Sequence, residues 1–165
     1  MIEPGVRLIL ASLCRHMASA AVLEVGPGKR FDKPSAAIAR AHDGDTVRVA
    51  PGTYVDCASI RQNRFTLEGL GGAVMQDKAR AGKAILVIDG SKVTVRGLTL
   101  ANAQVPDKNG AGIRAEGGEL LVENTRFLNN ENGLMGANDP NIGIRIVGGS
   151  FIGNGACQQN CAHGV

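Results

Sequence analysis

One strand motif recurs four times in this chain: Phe65-Thr66-Leu67-Glu68-Gly69, Val93-Thr94-Val95-Arg96-Gly97, Leu120-Leu121-Val122-Glu123-Asn124 and Ile144-Arg145-Ile146-Val147-Gly148. The copies start 28, 27 and 24 residues apart. Each reads apolar, variable, apolar, variable, then Gly or Asn. Alternation with period 2 sends one set of side chains inward and the other outward, which describes a strand. The closing Gly or Asn tolerates a left-handed backbone and marks a corner. A repeat of this length predicts a solenoid, in which each turn covers the open face of its neighbour.

Other parts of the turn repeat as well. Leu98-Thr99-Leu100, Thr125-Arg126-Phe127 and Gly149-Ser150-Phe151 follow the corner and hold Leu100, Phe127 and Phe151 at one offset. Asn102, Asn129 and Asn154 fall at or near a second corner, where an Asn side chain can stack on the Asn one turn away and share hydrogen bonds. Gly112-Ile113, Gly133-Leu134 and Gly164-Val165 come later, at spacings of 21 and 31, so the loops vary in length. One turn therefore holds two or three short strands. With no Trp and 3% aromatic residues, the interior is built of stacked Ile, Val and Leu. A left-handed β-helix would need an aliphatic residue at every sixth position, which is absent. A leucine-rich repeat would need more leucines per unit. A sandwich would not keep strand and corner in constant register.

This pattern resembles the right-handed parallel β-helix, or pectin-lyase-like, superfamily. The resemblance extends over residues 22–165 and includes an N-terminal cap at 22–56. There Pro34 sits near a helix start, Ser35–Ala41 continues the helix, Asp43-Gly44-Asp45 turns the chain, Thr46–Val49 is the first strand, and Pro51-Gly52 turns again. A helix across the solenoid end shields apolar core and unpaired strand groups. The expected architecture is all-β: a leader-like segment at 1–21, the cap, and β-helix turns over 57–165 that stop mid-turn at His163-Gly164-Val165. The expectation is a fragment or an uncapped end, with end-to-end self-association through it.

A net charge of +3 comes with no Lys/Arg run and no stripe of basic and aromatic residues, so nucleic acid is not the expected partner. Arg48, Arg96, Arg114, Arg126 and Arg145 read as solvated strand faces. No segment is long enough to span a membrane. In residues 1–23, Arg7, the apolar run Leu8–Cys14 and Ala18-Ser19-Ala20 form a weak export signal. Together with the resemblance they suggest a secreted or periplasmic protein. In an oxidising compartment Cys157 and Cys161 would close a small disulfide. With His163 they form a trio too sparse for zinc. Cys57 stands alone.

Enzymes of the resembled superfamily that act on acidic polysaccharides place their site on one strand face, where equivalent side chains recur about every 4.8 Å. If the Gly-aliphatic strands form that face, its outward candidates are Lys83, Arg114, Glu116, Asn132, Asp139 and His163. Lyase chemistry needs a cation to neutralise the uronate carboxylate and a base, often Arg or Lys, to remove the proton at carbon 5. Inverting hydrolysis needs two carboxylates about 6.5–9.5 Å apart, and Glu116 with Asp139 form the candidate pair. Calcium is implied by the resemblance alone, since no run of acids is present. The expected partner is an acidic polysaccharide. The reading is a polysaccharide-active β-helix, lyase- or hydrolase-like. Its alternatives are a non-catalytic glycan- or protein-binding β-helix and an inactive truncated product.

Overall fold

The computed structural model describes residues 19–155. Strand β1 (Val22–Val25) and the short helix α1 (Pro34–Ile38) open the chain. Three-strand turns follow: β2 (Thr46–Val49), β3 (Gly52–Val55) and β4 (Ala58–Ile60), then β5 (Thr66–Gly69), β6 (Ala73–Gln76) and β7 (Ala84–Ile88). The next are β8 (Val93–Arg96), β9 (Thr99–Ala101) and β10 (Ala111–Ala115), then β11 (Glu119–Glu123), β12 (Arg126–Leu128) and β13 (Asn132–Gly136). A partial turn adds β14 (Gly143–Val147) and β15 (Ser150–Ile152). Like strands stack in parallel into sheets of six (β1-β2-β5-β8-β11-β14), five (β15-β12-β9-β6-β3) and four strands (β13-β10-β7-β4). The result is a parallel β-helix of about five turns.

The sequence motif and the register coincide. Leu67 pairs with Val95, Val122 with Val95, and Val122 with Ile146. Leu100, Phe127 and Phe151 form one inward column, with the Phe127 and Phe151 rings stacked at 4.5 Å. Ile113 lies between Leu86 and Leu134. These columns are the core: Val47, Leu67, Val95 and Val122 are wholly buried, as are Met75, Leu100 and Phe127. Burying each such side chain contributes about 1.5–3 kcal/mol.

Three details depart from expectation. Gly97 (φ +68°), Asn124 (+45°) and Gly148 (+69°) take the left-handed corner, but Gly69 does not. There the connection is longer, and Gly72 (φ +89°) takes that conformation instead. Gly69 is needed for space, since a Cβ would meet the Gly97 carbonyl oxygen at 2.7 Å. At the second corner Asp77, Asn102, Asn129 and Gly153 are left-handed, so Asn154 lies one residue past it. The buried stack is Asn130 on Asn154. The Asn130 amide donates to Asn154 Oδ1 (3.0 Å) and to the Leu100 carbonyl (2.9 Å), while its Oδ1 accepts from the Ala103 N–H (2.9 Å). Third, α1 ends at Ile38 rather than Ala41. Gln62 Nε2 donates to the carbonyls of Ile38 (2.8 Å) and Ala41 (3.1 Å), satisfying acceptors the helix leaves open. At its other end the Ser35 N–H donates to Asp56 Oδ2 (2.7 Å). Pro34, Ala37 and Ile38 face inward, so this one-turn helix covers apolar core at the N-terminal end.

Candidate functional site

The four-stranded sheet carries the expected face. In β10, Ile113 and Ala115 point into the core and Arg114 points out, in a column with Ser59, Val87 and Met135. Lys83, just before β7, places Nζ 2.5 Å from Glu116 Oε1, just after β10. Arg114 Nε lies 3.7 Å from the same oxygen, close enough for charge attraction and too far for a hydrogen bond. Arg114 Nη1 lies 3.7 Å from the Met135 sulfur. The Nε itself is buried and has no hydrogen-bond partner. Lys83, Arg114 and Glu116 thus converge, two cations on one carboxylate.

Beside them Ala84, Val87 and Ala111 form a small buried apolar cluster with Met135 packed on it. Two lengthened connections leave the sheet edge here, residues 77–83 and 102–110, whereas the matching connection after β12 has only three residues, 129–131. The segment 102–110 is fastened by Glu131, which is buried. Its Oε2 accepts from the N–H groups of Gly110 (2.8 Å) and Val105 (3.0 Å), and its Oε1 lies 3.6 Å from Lys108 Nζ. This carboxylate had no sequence signal beyond its place before a Gly-aliphatic strand.

The remaining candidates fall elsewhere. Asn132 is buried opposite Ala111, with its Nδ2 unpartnered. Asp139 lies in the turn after β13, accepting from the Asn141 N–H (2.8 Å) and Nδ2 (2.9 Å). The residue one turn above Glu116 is Ala137, whose N–H bonds the Ala115 carbonyl, so Asp139 is two residues beyond it. His163, Cys157 and Cys161 lie outside the described residues. Cys57 is a half-buried free thiol, and burial together with neighbouring Asp56 pushes its pKa up, away from the reactive thiolate. Among the described residues no group of three or more His, Cys, Asp or Glu side chains converges as metal ligands would. On this face Glu116 is already engaged by two cations, and its neighbour one turn away, Asp89, lies 3.7 Å from Arg61 Nε, which does not fit a calcium ion and its several oxygen ligands.

A second charged array lies on the outside of the six-stranded sheet. Glu24, Arg48, Glu68, Arg96 and Glu123 occupy one column on five successive strands. Arg48 bridges Glu24 (3.3 Å) and Glu68 (2.8 Å), and Arg96 reaches Glu68 at 3.0 Å. The Arg48 hydrogen bond and the charge of Arg96 hold the Glu68 carboxyl below the usual carboxylate range. Arg48 and Arg96 are therefore ladder members rather than independently solvated charges.

About five turns of stacked parallel strands in three sheets, with a polar face on one sheet, define the class: a parallel β-helix. No protein-family model matches the chain, and no curated protein sequence does. Among solved structures, pectin methylesterase PemA from Erwinia chrysanthemi is similar over 71% of this chain, with a TM-score of 0.58 and 17% identity. The match covers 45% of that enzyme, so the chain spans less than half of its length. The likeness is one of fold. No helix among the described residues is long and apolar enough to cross a membrane.

Proposed function

We propose that this chain is a polysaccharide-directed β-helix whose four-stranded face holds an acidic glycan, in an exported protein. The observation that carries the reading is Arg114. A part-exposed guanidinium on an outward strand face beside an apolar strip is suited to an incoming carboxylate, which its accessible N–H groups would bind. Lys83 adds a second cation, and Glu116 orients both. The fold shared with a pectin methylesterase supports a pectin-like polymer as the ligand. Lyase-type chemistry would use the same cations to neutralise a uronate. Hydrolysis is less well supported, because Ala137 lies across from Glu116 on one side and Asp89, on the other, is already beside Arg61.

The test is affinity electrophoresis and calorimetry with polygalacturonate, with dextran as the neutral control, alongside assays for methanol release, unsaturated products and new reducing ends. Binding of polygalacturonate that falls about tenfold or more in Arg114→Ala supports the reading. Equal retention by dextran, or unchanged affinity in the variant, would overturn it. Any of the three products would raise the chain from a binding module to an enzyme.

A further inference from the structure

A depression of about 460 Å³ lies on the outside of the six-stranded sheet, over β8, β11 and β14. That volume falls in the range of small-ligand sites, about 300–1,000 Å³. It is on a different sheet from Arg114. Its origin is visible in the register. Thr94, Leu121 and Arg145 form one outward column, and Glu119 pairs with Gly143 in the next. Lys92 precedes Val93 just as Glu119 precedes Leu120. Gly143 has no side chain, so a hole opens beside Glu119 where the column would otherwise continue. Gly143 is not in the left-handed region, and a Cβ there would meet only Glu119 Cγ, at 3.9 Å. Neither backbone conformation nor crowding requires glycine here.

The charges around the hole differ from those of the ladder on the same face. Glu24, Arg48, Glu68 and Arg96 neutralise one another. Lys92 and Glu119 share the column of Gly143, and Arg145 stands in the next one, yet none of the three makes an ion pair within the described residues. The floor is apolar, from Leu121, and the Thr94 hydroxyl stands at the rim. Lys92 and Arg145, two strand spacings apart and two residues along, are separated by roughly 12 Å and flank a platform about one sugar ring wide.

We propose that this depression is a second binding site, taking one or two units of an acidic sugar. The C–H face of the ring packs on Leu121. The carboxylate meets Arg145, in the bidentate geometry a guanidinium favours, with Lys92 adding charge. The ring hydroxyls donate to Glu119 and exchange hydrogen bonds with Thr94. The site stands on its own residues and does not depend on the four-stranded face. A polymer long enough to reach both would bind with gain from linkage.

The experiment is an amide NMR titration of the 165-residue chain with digalacturonate, using cellobiose and acetate as controls. Saturable shifts at Thr94, Leu121 and Arg145, at tenfold or more lower concentration than either control, are expected. Arg145→Ala should weaken them about tenfold. Gly143→Leu should abolish them by filling the hole, with the remaining spectrum confirming the fold. Arg114→Ala should leave them unchanged, which separates this site from the proposed polymer face. Shifts equal to those with acetate, shifts equal to those with cellobiose, absence of shifts at these residues, or indifference to Gly143→Leu would each overturn the proposal.

Discussion

Arg48 on β2 and Glu68 on β5 stand opposite each other, with Nε 2.8 Å from Oε2. Glu68 also receives Arg96 from the far side, so one carboxylate joins three turns of the solenoid. Its pKa is lowered, chiefly by the Arg48 hydrogen bond. Glu68 therefore adds stability that is complete above the unfolded carboxylate range, about pH 4–4.5, and is lost as the pH falls through its lower folded value. Glu68→Gln should cost about 1 kcal/mol or less at pH 7, and less in 1 M salt, because the pairs are partly exposed. Urea melts of both proteins from pH 7 to pH 3 should converge at the acid end.

Asp45 behaves in the same direction for a different reason. Burial pushes its carboxyl up, but hydrogen bonds from the N–H groups of Ala21 (2.7 Å) and His42 (2.8 Å) outweigh burial and hold it below the ordinary value. Asp45→Asn should lose about 1–3 kcal/mol at neutral pH. The loss should appear first as faster amide exchange in β1, and should shrink as the pH drops below the usual carboxylate range.

Asn130 is the costliest polar side chain to remove. Asn130→Ala would leave the Ala103 N–H and the Leu100 carbonyl without their partners inside the solenoid. An expected loss of about 2–4 kcal/mol follows from two buried groups left unpaired. Chemical denaturation measures it, and a loss under about 0.5 kcal/mol would show that the stack is ornamental.

Glu131→Ala should release the segment 102–110. Exchange protection at Val105 and Gly110 should collapse, while Val95 and Val122 stay protected, since the clamp touches the connection and not the strands. Uniform loss of protection would mean that Glu131 supports the whole stack.

Much of the fold was legible in the residues. The four motif copies are register partners strand for strand, because alternation and corner residues are local requirements that each turn must meet by itself. Thr46–Val49 proved to be another copy, and Val22–Val25 one more, hidden because no Gly or Asn corner follows at the repeat's usual offset. The ladder was present as alternating charge at the fourth motif position, Glu24, Arg48, Glu68, Arg96 and Glu123, but each Arg read alone looks like solvated surface. The site was less legible. Lys83, Arg114 and Glu116 were named as outward residues, and their convergence depends on loop lengths that no spacing rule supplies. Glu131 and Asn130 were invisible because an acid or amide is recognisable as a clamp only once the backbone N–H groups it serves are placed.

Each named strand is paired only with its counterparts in the adjacent turns, so the successive turns carry load in series along the axis. Pulled from its two ends, such a molecule would lengthen stepwise, shedding about one turn, some 20–28 residues, per event. Asn130 and Glu68 join neighbouring turns by their side chains and would act as the rivets that set the size of the largest steps.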